Sequence, residues 1–313
     1  MASDVSRRDF LDGVAGAFAA AFVGRSRAHV GENIRENASV MLTRPIPSSQ
    51  EQLAVVGLGT WQTFDVPLND SGGIERLSQT VRALYDAGGR VVDSSPMYGR
   101  SEETFGAIAD RLKLTNALFM ATKVWTEGER AGIEQMRESA ALFHRKTIDL
   151  MQIHNLVDWK THLATLRKDK DAGRIRYVGV SHYTASASPE LERVIRSERI
   201  DFVQLAYAPG YRAAERSLLP LAADRGVAVI VNRPFEGGSG LRAVASKPLP
   251  QEVGAYAGSW AQAFLKFILA NPAVTCVIPG TGSPQHMADN AAAGSGPLPT
   301  DRERRRLLEL LAG

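Results

Sequence analysis

Apolar runs recur along the chain from residue 51 onward: 54–58, 90–92, 118–121, 148–153, 175–180, 202–205, 227–231 and 274–278. Longer stretches with helical spacing lie between most of them. Ile74, Leu77, Val81, Leu84 and Tyr85 fall on one face of a helix, and Leu191, Val194 and Ile195 repeat the pattern, as do Leu218, Leu219, Ala222 and Ala223. Glycine stands where several helices must end: Gly88-Gly89, Gly173 and Gly226. Strands that are apolar throughout and alternate with helices predict a parallel sheet covered by helices. Eight repeats within 51–313 predict a single-domain α/β fold, a (β/α)8 TIM barrel, since such barrels take about 250 residues. A doubly wound sheet would carry Gly-x-Gly-x-x-Gly after its first strand. The chain reads Gly57-Leu58-Gly59-Thr60-Trp61-Gln62, and the third glycine is missing.

The segment ahead of the barrel is of another kind. Arg7-Arg8 and Phe10-Leu11 precede an uncharged Gly/Ala/Val/Phe stretch, 13–24, and then the small-residue triplet Ser26-Arg27-Ala28. Charge, a short apolar run and small residues make an export signal over 1–28. The paired arginines resemble a twin-arginine signal, although Asp12 stands where that signal commonly has Lys. The resemblance implies export machinery as a partner and a periplasmic location, or a cytoplasmic one if the leader is not used. The apolar run is too short for a membrane span. Residues 29–50 read as a polar linker.

Composition narrows the function. The 313 residues are 44% hydrophobic and 23% charged, with a net charge of +3. That surplus is small and scattered, so nucleic acid is not an expected partner. The cluster around Arg304–Arg306 reads as a solvated helix face. The lone cysteine, Cys276, lies inside an apolar run and reads as a small core residue.

Chemistry gathers at the strand ends. Asp93 follows the second apolar run with Tyr98 five residues on, Lys123 ends the third and His154 ends the fourth. In a barrel these positions share the C-terminal rim. Each has a bland reading: packing, a surface charge, a helix cap, a core histidine. Together they form a proton-transfer site. A free phenol titrates near ~10, and an adjacent ammonium is expected to lower that value, with Asp93 holding the ammonium by an ion pair. His154 is placed to hydrogen-bond a substrate oxygen. No metal-ligating cluster and no activated Ser or Cys accompanies the four, which leaves a hydride as the partner for the donated proton.

The chain resembles the aldo-keto reductases over essentially all of 51–313. The stretches that carry this are Gly57-Leu58-Gly59-Thr60-Trp61-Gln62, the run 93–103 that begins Asp93-Ser94-Ser95-Pro96-Met97-Tyr98-Gly99, Ala121-Thr122-Lys123-Val124-Trp125, Ile153-His154, Gly179-Val180-Ser181 and Ile278-Pro279-Gly280-Thr281-Gly282-Ser283. The resemblance implies an NAD(P)H-dependent reductase of a small aldehyde or ketone. It makes Tyr98 the proton donor, supported by Asp93, Lys123 and His154, and it lines the substrate pocket with Trp61 and Trp125.

It also implies a nicotinamide cofactor bound without a doubly wound domain. Ser181 and Gln204 match positions that hold the carboxamide. His182 stands where Asn is usual. Many members stack a Tyr on the nicotinamide; this chain has Asn232-Arg233-Pro234 there. Gly280, Thr281, Gly282 and Ser283 lead into a helix start suited to phosphate. Asp289 and Asn290 match the adenine-side pair. Gly280 and His286 replace the Lys and Arg that grip the 2′-phosphate in many members; NADP is placed ahead of NAD because other branches use Gly-Thr loops and take NADP.

Two other readings compete: a cofactor-binding regulatory subunit of the same fold, and a barrel enzyme using Lys123 as a Schiff base. Asp93 keeps that amine protonated and argues against the latter. Loops 64–73 and 236–259 are expected to shape the pocket, the second as a flexible cover.

Overall fold

A computed structural model describes residues 40–312. The chain first forms a hairpin, β1 (Thr43–Pro45) and β2 (Gln52–Ala54), with Thr43 opposite Ala54. Eight parallel strands follow: β3 (Leu58–Gly59), β4 (Val91–Asp93), β5 (Phe119–Val124), β6 (Ile148–His154), β7 (Ile175–Ser181), β8 (Phe202–Ala206), β9 (Ala228–Asn232) and β10 (Cys276–Val277). Each strand lies beside the next in chain order. The last meets the first through Gly57 N to Val277 O (2.9 Å) and Gly59 N to Pro279 O (3.1 Å), which closes the barrel.

The helices between strands are α1 (Ser71–Asp86), α2 (Ser101–Arg111), α3 (Glu129–Leu142), α4 (Trp159–Asp171), α5 (Ser188–Ser197) and α6 (Leu218–Arg225). Two short helices, α7 (Ser239–Val244) and α8 (Gln251–Gly254), precede α9 (Trp260–Leu269); α10 (Pro284–Ala292) and α11 (Asp301–Ala312) end the fold. Local chemistry sets the ends. Asp70 caps α1 by accepting from Gly73 N at 2.9 Å, and Gly226 stops α6 at φ +65°.

The apolar side chains divide into two layers. One packs between the strands and the helices and includes Val92, Met120, Met151, Val180 and Val203. The other fills the barrel: Val91, Phe119, Ala121, Leu150, Tyr177, Phe202, Ala228, Ile230, Cys276 and Ile278. The inner positions are two residues apart along each strand, because successive side chains point to opposite faces. Ile46 and Leu53 of the hairpin join the inner layer and close the N-terminal mouth. Arg44 anchors the hairpin by donating to the carbonyls of Leu269, Asn271 and Val274 near the end of α9.

Three expectations change in detail. The stretch read as a linker over 29–50 is, from Thr43 on, part of the hairpin, because Ile46 and Leu53 have an apolar mouth to cover. The first apolar run is split: Ala54 ends β2, and Leu58 begins β3. The region 236–259 contains α7 and α8, with Val244 and Val253 buried, so the cover is partly helical. The segment read as an export signal lies outside the described residues.

Gly57 sits at the barrel seam, where a Cβ would meet Val91 O at 2.7 Å and Val91 Cβ at 2.8 Å. Backbone cannot yield there as a flexible side chain can. Gly57→Ala is expected to destabilise the chain by about 1–3 kcal/mol in urea unfolding. Unchanged stability would mean that the seam spreads without cost.

Candidate active site

The period of two decides what faces the cavity. Going up each strand, the apolar inner layer gives way to Asp93 on β4, Lys123 on β5, Gln152 and His154 on β6, Ser181 on β7, Gln204 on β8 and Asn232 on β9. Register aligns them: Lys123 is opposite Gln152, His154 opposite Ser181, and Ser181 opposite Gln204. The C-terminal end of the barrel is therefore lined by a polar belt.

An ion pair holds its centre. Lys123 is fully buried and its Nζ donates to Asp93 Oδ2 and to Ser94 O, both at 2.6 Å. Asp93 Oδ1 accepts from Gln152 Nε2 at 3.0 Å and from Gln204 Nε2 at 2.8 Å. Burial works against the ammonium, but Asp93 and Tyr98 outweigh it and raise the lysine above its ordinary value. A buried pair is tolerable only when its remaining lone pairs and protons find partners; here the ammonium makes two hydrogen bonds and both carboxylate oxygens accept.

Tyr98 belongs to the loop between β4 and α2. Its N–H donates to Ser95 O at 3.0 Å, and its own carbonyl accepts from Ser101 Oγ at 2.7 Å. Asp65 braces the next turn by accepting from Arg100 N at 3.0 Å. Gly99 there has φ +62°, and a Cβ would strike the Asp65 carboxylate at 2.5 Å. The phenol is half-buried, with Lys123 Nζ 5.1 Å from its ring centroid. The sequence led us to expect that the ammonium would lower the phenol's pKa. Desolvation is the larger influence, and the hydroxyl titrates above its ordinary value, with Lys123 opposing the shift in part.

The His154 ring stands edge-on to Tyr98, centroids 5.9 Å apart at 87°. Its Nδ1 is 3.1 Å from Ser95 Oγ. Desolvation first, then the Lys123 charge and His182, push its pKa down to about 3, so the imidazole is neutral. The chain beyond it is bent hard: Asn155, Leu156 and Asp158 all have positive φ, a conformation that costs of order 1–3 kcal/mol per residue.

Trp61, Met97 and Trp125 sit on the loops after β3, β4 and β5 and are among the exposed large apolar residues. Ser181 is buried and its Oγ has no hydrogen-bond partner among the described residues. Gln204 lies where expected, but its Nε2 serves Asp93 and its Oε1 accepts from Asn232 Nδ2 at 3.2 Å. His182 stacks on Tyr183 (5.6 Å, 12°), and Arg233 lies 5.7 Å over the same Tyr183 ring. Pro234 follows it. Gly280 bridges Gly59 at the seam. Thr281 and Gly282 lead to Ser283, which caps α10 by accepting from His286 N at 3.3 Å. In α10, Asp289 accepts from Ser259 Oγ and Gln262 Nε2, both at 2.7 Å, and Asn290 is buried.

Two polar residues escaped the sequence reading. Gln152 is one; a glutamine inside an apolar run, two residues before His154 and so on the same face, was the available signal. Glu102 is the other. It is buried and accepts from Thr122 Oγ1 and from Ser139 Oγ at 3.0 Å. Desolvation is its leading influence and raises its pKa to about 7, against the two hydroxyls and Lys123; Glu138 adds to the rise.

These two shifts act on stability with opposite sign. His154 stays neutral in the fold, while the unfolded chain takes a proton below about 6.5, so stability falls as pH drops from 6.5 toward 3. Glu102 retains its proton longer in the fold, so stability falls as pH rises from 4.5 through 7. His154→Gln is expected to gain on the parent as pH falls, and Glu102→Gln as pH rises from 5 to 8, each by a few kcal/mol at most. Denaturant unfolding across pH checks both. Parallel profiles for variant and parent would contradict the assignment.

Comparison with known proteins agrees with the fold. The model of the aldo/keto reductase family matches residues 55–305. The chain is 29% identical over 192 residues to aldo-keto reductase YhdN of Bacillus subtilis (strain 168), covering 56% of each chain. It is 35% identical over 149 residues to an aldo-keto reductase of Mycobacterium sp. (strain KMS), covering 45% of this chain and 48% of the relative. The chain thus spans about half the length of these curated relatives. Methylglyoxal reductase DkgB of Yersinia pestis is 25% identical over 210 residues, with 65% and 74% covered. Among solved structures, an aldo-keto reductase of Klebsiella pneumoniae in complex with NADPH superposes with a TM-score of 0.72 at 21% identity, over 87% of this chain and 96% of that one. Another from the same organism, in complex with NADP and acetate, gives 0.70 at 21% identity, over 84% and 93%. The match across nearly the whole barrel places this chain in the aldo/keto reductase family.

Proposed function

We propose that the chain is an NAD(P)H-dependent reductase of small aldehydes or ketones, with Tyr98 as proton donor. The observation that carries this reading is the half-buried phenol with a fully buried, Asp93-paired ammonium 5.1 Å from its ring centroid. A regulatory subunit has no use for such an arrangement.

The residues fit a nicotinamide cofactor. Ser181 Oγ and Asn232 Oδ1 are buried at the rim without partners among the described residues, and such groups are costly unless something binds them. The Gly280–Ser283 turn leads into the start of α10, whose dipole favours an anion, although Pro284 there carries no N–H and His286 N already donates to Ser283 Oγ. NADP is the preferred form; the Klebsiella neighbours with NADP and NADPH support it. When bound and reduced, the cofactor supplies a hydride.

The chain's own side chains handle the proton. Because desolvation raises the phenol's pKa, Tyr98 is fully protonated at neutral pH and holds a proton ready. It passes that proton to the carbonyl oxygen as the oxygen gains negative charge. The tyrosinate left behind is stabilised by the Lys123 ammonium, a contribution absent before transfer. Neutral His154 helps to place the oxygen: in the tautomer in which Ser95 donates to Nδ1, Nε2 carries the hydrogen for that bond. The exposed Trp61, Met97 and Trp125 favour a substrate with an apolar body. The name of the Yersinia relative, a methylglyoxal reductase, supports a small aldehyde.

Tyr98→Phe is expected to lower turnover of an aldehyde by roughly 10²–10⁴-fold and to leave the Kd for NADPH within a few-fold of the parent. Wild-type turnover in the variant would remove Tyr98 from the role.

We also propose that residues 1–28 direct export by the folded-protein route, which lets the barrel leave the cytoplasm with cofactor already bound. Cell fractionation should show a shortened chain outside the inner membrane, and substituting Arg7-Arg8 by Lys-Lys should retain it inside. Full-length chain confined to the cytoplasm, with either pair, would refute export.

A further inference from the structure

One rim residue departs from what the family resemblance implies. Position 232, where many members stack a tyrosine, is an asparagine at the end of β9. An amide offers no stacking platform, but its polar atoms are held in a definite sense. The reason lies at Asp93. Its carboxylate accepts and cannot donate, so Gln204 must present Nε2 to it, at 2.8 Å. That turns Gln204 Oε1 toward Asn232, whose Nδ2 donates to it at 3.2 Å. The same Nδ2 lies 3.5 Å from His182 O, a second group that only accepts. An amide flip at 232 would set oxygen against two oxygens. Oδ1 is thereby turned away from both. It is buried and has no hydrogen-bond partner among the described residues. Ser181 Oγ, in register opposite Gln204, is in the same condition.

We infer that Asn232 Oδ1 is the acceptor for the carboxamide N–H of the nicotinamide, its direction fixed by the Asp93 charge through Gln204. Ser181 Oγ–H remains for the carboxamide oxygen. The two protein groups, one acceptor and one donor, complement the NH2 and C=O of a primary amide. The Asp93 charge thus acts twice, holding the Lys123 ammonium through one oxygen and setting the polarity of the amide chain through the other. A buried group left without its hydrogen bond is costly, so the carboxamide NH2 is worth about ten-fold in affinity. The inference rests on the cofactor reading above and concerns one group of that cofactor.

The test compares NADP with its 3-acetylpyridine analogue, which keeps the carbonyl and lacks the NH2. Kd values for full-length protein are read by fluorescence or calorimetry, without turnover. The parent should bind the analogue about ten-fold more weakly. Asn232→Leu, of similar size, should bring the two Kd values within about two-fold of each other. Ser181→Ala should weaken both cofactors alike and leave their ratio as in the parent. A ten-fold ratio that persists in folded Asn232→Leu would place the NH2 elsewhere and overturn the inference. If Asn232→Leu does not fold, the parent alone decides: the thionicotinamide analogue, which keeps the NH2, must bind better than the acetyl analogue, and equal affinities overturn the inference. Equal binding of all the analogues by the parent leaves the cofactor reading standing and removes Asn232. No binding of any dinucleotide overturns both.

Discussion

The ion pair between Lys123 and Asp93 sets the terms for everything around it. Both side chains are buried inside a barrel whose lower half is hydrocarbon. Two charges taken out of water are a liability unless every remaining donor and acceptor is used, and removing one partner of such a pair typically costs about 3–5 kcal/mol. The chain answers much of this demand with backbone and amides: Ser94 O takes the ammonium, and Gln152 and Gln204 take the carboxylate. Those amides need inward positions near the strand ends, so the polar belt is a consequence of the pair. Asn232 continues it, since Gln204 has an oxygen left over.

The same pair explains why the proposed acid is a protonated phenol. An ammonium alone would make a neighbouring tyrosine easier to ionise. Here most of the lysine's charge is answered by Asp93, and what reaches Tyr98 is outweighed by the loss of water around the hydroxyl. The result suits a group that must hold a proton until charge develops on a substrate oxygen. His154 is governed in the same way. Burial and the cationic neighbour keep it neutral, and a neutral ring can donate from one nitrogen while accepting at the other.

Around this centre the fold divides labour by end. The N-terminal mouth is filled by Ile46, Leu53 and the aromatic layer of Phe119, Tyr177 and Phe202, which rigidify the strands. Most of the non-glycine bends with positive φ follow strands at the C-terminal rim, at Gln62, Asn155, Leu156, Asp158, Arg233 and Glu236, while Gln50, Lys113 and His144 lie in the turns that precede strands. Such conformations persist only where the scaffold over-determines them. Asp65 and Gly99 show how the loop bearing Tyr98 is held to the same standard.

Sequence by itself determined the barrel, because buried parallel strands and amphipathic helices write different periods into the chain, and eight repeats leave few other closures. It also determined that Asp93, Tyr98, Lys123 and His154 share a rim, since strand ends in a parallel barrel can only meet there. Tertiary structure decided what no period encodes. Whether desolvation or charge governs Tyr98 depends on distances between elements far apart in the chain. Gln152 reads as an interruption in an apolar run until its amide is seen on Asp93. Gln204 reads as a cofactor residue alone until its amide is found on Asp93 as well. The hairpin reads as linker until the barrel mouth it covers exists. Local pattern fixes which face a residue occupies; which partner uses up its hydrogen bonds, and how much water is left beside it, is settled only when the strands close.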